Sequence, residues 1–242
     1  MLNKRIIPIL YIAILMMLSE LSIAAPPLPF SAFYNARFQG FKAVAEISLT
    51  QLNDSDYVAY TTIKIRLFGA TVSTIRELSE FDWHDDAPRP HHYEYIQSGI
   101  GGRSRTADFD WQSNLAIATV RNQSVELKLD DGTLDELSMY TYLKQELNKG
   151  YNDIYFPLVR RNTIEEYHYR IVGEEDVATE SGIFSAIKVE RIRENSDRLT
   201  QLWFAKNHDM LLVKLFQRAP DGDEFEISLR SAQINGEIVL PD

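Results

Sequence analysis

The sequence predicts a mainly β protein: one large curved antiparallel sheet, an open or half barrel, with one main helix at about residues 135–149 packed in or across its concave face. Three observations carry this. Apolar and polar residues alternate with period two in about a dozen separate stretches, a single segment switches to helical spacing, and two strands near the end of the chain are apolar on both faces. Period-two alternation puts successive side chains on opposite faces, as in half-buried strands of an antiparallel sheet.

Residues 31–38, SAFYNARF, open the series. In 43–50, AVAEISLT, Ala43, Ala45, Ile47 and Leu49 share one face, and in 57–68 Ile63, Ile65 and Leu67 alternate with Lys64 and Arg66. Further strands are predicted at 74–83, 105–111, 115–120 and 124–129, then at 164–172, 182–192, 200–206, 210–218 and 224–234, with Gly, Asp and Asn between them. The segment TLDELSMYTYLKQELNKGY, 133–151, is different. Asp135 is placed to cap a helix, Leu137, Tyr140, Leu143 (or Lys144) and Leu147 recur at helical spacing, and Gly150 stands where a helix ends. In 199–206, Leu202 and Phe204 face one way and Leu199, Trp203 and Ala205 the other; in 210–217, Met210, Leu212 and Phe216 oppose Leu211, Val213 and Leu215. A strand apolar on both sides needs cover on both sides, and the helix is the expected cover for one of them.

The first residues place Lys4 and Arg5 ahead of an apolar run from Ile6 to about Leu18, followed by Ser22, Ala24 and Ala25. That is the layout of a secretory signal peptide, expected to span residues 1–24, with one antiparallel β domain over 25–242. The run is shorter than the roughly 20 apolar residues that cross a bilayer, so no stable transmembrane anchor is expected after cleavage. The chain has no cysteine, hence neither disulfides nor a lipidated Cys, and the expected location is the periplasm, in soluble form. A net charge of −10, about −11 without Lys4, Arg5 and Glu20, argues against nucleic acid as a partner, because phosphate-backbone affinity rests on clustered Lys and Arg.

Apparent motifs weaken under their own requirements. Asp221-Gly222-Asp223-Glu224-Phe225 is one residue from the GGDEF signature of cyclic di-GMP synthesis, but its neighbours are antiparallel strands and only 17 residues follow it. Pro220-Asp221-Gly222 reads instead as a tight turn. SGIGGRSR, 98–105, joins two strands, whereas phosphate loops feed a helix, so it is read as a hairpin tip. If that tip has a partner, Arg103 and Arg105 would meet an anionic headgroup. HDDAPRPHH, 84–92, gathers His84, Asp85, Asp86, His91 and His92, but adjacent His91 and His92 on a strand point to opposite faces, and a Pro-containing link gives no regular ligand spacing. No metal and no cofactor are expected. There is no G-x-S-x-G elbow, and paired carboxylates such as Glu165-Glu166 are read as solvated.

Three stretches together resemble the domain of unknown function 3108 family: DELSMYTYLKQEL (135–147), GEEDVATESGIFSAIKVER (173–191) and LWFAKNHDMLLVKLFQRAPDGDEFEISLRS (202–231). The matching positions are Asp135, Leu137 and Ser138; Gly173, Glu175, Thr179, Gly182, Ala186, Lys188 and Val189; and Trp203, Ala205, Val213, Asp221 and Gly222. Leu212 departs from a family Pro. The resemblance implies an exported Gram-negative protein with a curved sheet similar to the outer-membrane lipoprotein carriers and to periplasmic envelope-integrity proteins, and it implies no reaction. The expected function is non-enzymatic: holding a lipid, a lipoprotein acyl chain or a peptide against the concave sheet, with an envelope protein or lipoprotein as partner. Tyr140, Leu143, Trp203 and Phe204 are the groove and lid candidates. The alternatives are a periplasmic enzyme acting on envelope glycans and an interaction protein using its sheet edges.

Overall fold

A computed structural model describes residues 26–38 and 41–242; the expected signal peptide lies outside them. In chain order the elements are β1 (Phe30–Phe38), β2 (Phe41–Gln51), β3 (Asp56–Leu67), β4 (Ala70–His84), β5 (Ala87–Gly99), β6 (Arg103–Asp110), β7 (Leu115–Val120), β8 (Gln123–Lys128), α1 (Ser138–Asn148), β9 (Asp153–Arg160), β10 (Thr163–Thr179), β11 (Gly182–Ile192), β12 (Leu199–Ala205), β13 (Leu211–Arg218), β14 (Glu224–Ile234) and β15 (Glu237–Ile238). They form one antiparallel sheet in the order β8-β7-β6-β5-β4-β3-β2-β1-β14-β13-β12-β11-β10-β9, with the short β15 against β14. The connection after β8 runs to the opposite edge. Leu129 donates its N–H to the Asn114 carbonyl (2.9 Å), Leu134 donates to Pro157 (2.9 Å), and Val159 donates to Leu134 (2.8 Å). One short segment thus ties the two edge strands, leaving an open sheet curled almost into a barrel.

Three strands lie outside the predicted stretches: β5 and β9, both of which contain proline, and the two-residue β15. Pro88 and Pro90 pair only with β4, since β6 begins its pairing at His92, and Pro157 lies on an edge strand. A missing N–H is tolerated where a strand has no second neighbour.

The helix lies inside the curl, with Met139, Leu143, Lys144 and Leu147 all buried. Its regular turns start at Ser138, but the cap is Asp135, as expected. The Asp135 carboxylate accepts the N–H groups of Leu137 (2.8 Å) and Ser138 (2.9 Å), and the Ser138 hydroxyl accepts the Asp135 N–H (3.0 Å). Ser79 on β4 donates to the same carboxylate at 2.5 Å, which ties the helix start to the sheet. Asp135→Ala removes both the cap and a buried acceptor and is expected to lower stability by about 2 kcal/mol, while Asp135→Asn loses less. Denaturant midpoints of the two variants check this. Burial also pulls the Lys144 ammonium below its ordinary pKa, against the opposing effect of Asp209 at 3.0 Å.

The interior holds two packed clusters. The larger surrounds the helix and includes Leu143, Leu147, Phe184, Leu202 and Phe204; the smaller covers β3–β7, where Tyr57 stacks on Phe81 with ring centroids 5.6 Å apart. Among the described residues no helix is long and apolar enough to cross a membrane.

Candidate functional site

The helix fills only part of the concavity. Beside its N-terminal turn, a cavity of about 930 Å³ lies between β2–β4 on one side and β10–β14 on the other. One wall is apolar, supplied by Ile47, Ile63, Met139, Leu212, Leu215 and Ile227, all inward positions of alternating strands or of the helix. The small Ala45 on β2, which lines the cavity, leaves room that a longer side chain would occupy.

The polar lining falls into two groups. The inner group is Glu77 and Glu136 at the helix start, backed by Tyr93, Tyr95, Arg105 and Asp135. Tyr93 donates its hydroxyl to Glu77 at 2.7 Å, and the Arg105 guanidinium lies 3.1 Å from Glu136 and 4.2 Å from the Tyr95 ring centroid. Burial, aided by the negative charge of Glu136, pushes the Glu77 carboxyl up to about 7, against the Tyr93 hydrogen bond and Arg105. Asp135 is pushed up to about 6, also by burial, although the Ser79 and backbone hydrogen bonds favour its ionised form. Carboxyls that titrate near neutrality take up or release a proton at little cost, and they concentrate at functional sites.

The outer group mixes Arg160, Arg191, Arg193 and Arg198 with Glu165, Glu166 and Glu194. Arg191 stacks over Tyr167, its guanidinium carbon 3.3 Å from the ring centroid, and lies 3.5 Å from Glu165, while its Nε is buried without a hydrogen-bond partner. Arg193 donates to the Arg198 carbonyl (3.1 Å) and to the Thr200 hydroxyl (3.0 Å), both neutral acceptors. Burial and the like charge of Arg191 pull its guanidinium down to about 10, so it remains charged at neutral pH. Between the two groups Tyr140 and Tyr169 also line the cavity, both held protonated by burial. The arrangement offers an apolar wall, neutral hydroxyls and, among carboxylates that also line the cavity, an Arg193 guanidinium bonded to neutral acceptors, which suits a ligand with an apolar body and an anionic end.

Of the four candidates from sequence, one lines the cavity, while all four belong to or pack against the same buried cluster. Tyr140 lines the cavity. Leu143 and Phe204 have no exposed surface and belong to the packed core around the helix. Trp203 points to the opposite face from Phe204 but is itself buried, 4% exposed: it pairs with Lys188 and Lys214, whose ammonium groups lie 4.9 and 5.1 Å from its ring, and its Nε1 donates to Glu175 at 2.5 Å. The other apparent motifs resolve into local structure. Gly99–Arg103 is a hairpin tip, and Arg103 and Arg105 turn back onto Tyr95 and Glu136. His91 contacts Asp82 (3.0 Å) and His92 contacts Asp108 (2.7 Å), so neighbouring histidines use different carboxylates. In the Pro220-Asp221-Gly222 turn the Gly222 N–H donates to the Ala219 carbonyl at 2.9 Å, and Gly222 has a φ of +90°. Sequence reasoning missed Glu77, Arg191 and Arg193. The available signal was a charge at an inward position: Ile75, Glu77, Ser79 and Phe81 share one face of β4, as do Val189 and Arg191 on β11.

All the lining residues named above fall within residues 33–230, the range matched by the family model described as "Protein of unknown function (DUF3108)". The chain belongs to the DUF3108 family. No curated protein matches it. A solved structure similar to this DUF3108 chain is a β-barrel-like protein of domain of unknown function DUF1849 from Brucella abortus; the two are 7% identical with a TM-score of 0.58, and the match covers 87% of this chain and 99% of that one. At that identity the likeness concerns the fold.

Proposed function

We propose that this DUF3108 protein is a non-enzymatic protein of the periplasm that holds an amphipathic ligand, a lipid, an acyl chain or a peptide, within its concave sheet. The observation that carries this reading is the cavity of about 930 Å³, whose apolar wall leads to the Arg191–Arg193 pair. Its volume falls in the range of sites that bury small organic ligands, and a few placed polar groups in a largely apolar pocket fix orientation. Leu143 and Phe204 then act by shaping the pocket floor, and Tyr140 by contact. Native mass spectrometry of protein recovered from the periplasm is expected to show an added mass that organic extraction removes. Arg193→Gln is expected to weaken binding of an anionic acyl probe about tenfold while leaving the fold intact. Protein that is consistently empty and takes up no probe overturns the reading.

One observation favours a second reading, an enzyme acting on envelope glycans: Glu77, with its carboxyl near 7, lines the same cavity as Glu136. Raised carboxyls serve as general acids in glycoside cleavage. Release of reducing ends from peptidoglycan fragments, abolished by Glu77→Gln, distinguishes this reading from the first.

A further inference from the structure

The two ends of the sheet carry opposite charge. Consecutive strands are antiparallel, so the β1–β2, β3–β4, β5–β6 and β7–β8 connections share one end, as the registers Ala43 to Ile65, Ser73 to Gly99 and Arg105 to Val120 require. Residues 37–42, 64–70, 99–103 and 120–123 hold Arg37, Lys42, Lys64, Arg66, Arg103 and Arg121 and no Asp or Glu, and the 160–163, 193–198 and 218–224 connections at the same end add Arg160, Arg161, Arg193, Arg198 and Arg218 against Glu194, Asp197, Asp221, Asp223 and Glu224, so this end is net basic in a chain of net charge −10. Connections at the opposite end, 52–56, 84–87 and 129–132, hold Asp54, Asp56, Asp85, Asp86, Asp130 and Asp131 and no Lys or Arg, and those at 110–115, 149–152, 179–182 and 205–211 add Asp110, Glu180 and Asp209 against Lys149 and Lys206, so that end is net acidic. The cavity reaches the basic end: Gln217 and Phe225, which line it, pair with each other there, and Phe225 also pairs with Phe38.

The same basic tips carry apolar side chains in the open. Phe68 is 100% exposed, Ile100 70%, Phe41 43% and Phe38 37%. Phe68 is the sharpest case. With φ at +49° it occupies the left-handed position of the β3–β4 turn, followed by Gly69 at +85°. A two-residue hairpin turn of this kind favours Asn or Asp there, and a bulky aromatic residue in that conformation is an outlier. It gains no packing in return, so folding alone gives no reason for a Phe at this position.

We propose that this end is a membrane-docking rim, seated on a bilayer that contains anionic phospholipids. Phe68 and Ile100 enter the headgroup region, the flanking Lys and Arg meet lipid phosphates, and the mouth of the cavity faces the membrane. Apolar anchors with basic residues form the paired signal that reversible membrane binding needs, and the acidic end points away from the like-charged surface. This surface does not depend on what the cavity holds.

The absence of cysteine makes site-specific labelling direct. Ile100→Cys and, at the opposite end, Leu52→Cys, which replaces a side chain 64% exposed, each carry an environment-sensitive fluorophore in the full chain. Phosphatidylglycerol vesicles at low salt are expected to brighten the label at 100 several-fold and to leave the label at 52 unchanged. High salt, or Phe68→Asn, is expected to reverse most of the response; the Asn variant suits the turn, so its melting temperature should not fall. No response at 100, equal responses at 100 and 52, an unaltered response in Phe68→Asn, or an equal response to phosphatidylcholine vesicles overturns the proposal.

Discussion

Phe204→Ala is expected to lower the stability of the protein by about 3–5 kcal/mol, the usual cost of emptying a fully packed aromatic position. Phe204 has no exposed surface, pairs across the sheet with Ile187 and Leu212, and lies in the cluster that also holds Leu143 and Leu147 of the helix. Alanine would remove the ring and leave a hole that the rigid strands on either side cannot close. Urea denaturation of the variant measures the loss directly. A loss below about 1 kcal/mol would mean that the interior beside the helix is loosely filled, and the division into a packed floor and a hollow mouth would have to be abandoned. Trp203→Ala, one residue away, removes a buried ring flanked by Lys188, Lys214 and Glu175, whose flexible side chains can settle into the space, and should cost less.

Glu77→Gln is expected to act in the opposite direction. The carboxyl of Glu77 is raised from 4.5 to about 7 in the folded state, chiefly by burial. A carboxyl raised on folding takes up protons as the chain folds, so its contribution to stability is fully present below 4.5 and is lost as the pH rises through about 7. The wild-type protein should therefore weaken across that window by an amount on the order of 3 kcal/mol from this residue alone. The glutamine keeps an acceptor for Tyr93 and cannot ionise, so the variant should lack this loss and exceed the wild type at pH 8 by up to the same amount. Unfolding curves at pH 5 and pH 8 give the comparison; parallel pH profiles for variant and wild type would rule out Glu77 as the titrating group.

Much of the fold was legible because period-two alternation is a direct record of two-faced burial. The strands at 115–120, 182–192 and 224–234 have the bounds that alternation gives, and Asp135 caps the helix as its position implied. The strands containing Pro88, Pro90 and Pro157 were not legible, since a proline argues against a strand until one knows which side lacks a neighbour. The site was less legible for a related reason. Alternation separates the two faces of a strand without saying which is concave. Trp203 and Phe204 look equally suited to an interior, but the cover over Trp203 comes from Lys188 and Lys214 on neighbouring strands, whose alkyl stems stand in for a core. Glu77, Arg191 and Arg193 were hidden by the opposite assumption, that a charge in an acidic chain is solvated. Their positions in phase with Ile75, Phe81 and Val189 were the available clue.

The tie between the edge strands also gives the molecule a preferred place to yield. Among the described residues, neighbouring strands elsewhere pair along ladders, some with a bulge, whereas the segment after β8 meets β9 through the backbone of Leu134. A force from inside, such as a cargo bulkier than the resting cavity, would be relieved first at this clasp. On the proposed function, the open seam would let the curl widen around a bulky ligand while its interstrand ladders stay whole, which a fully closed barrel of the same strands would not allow.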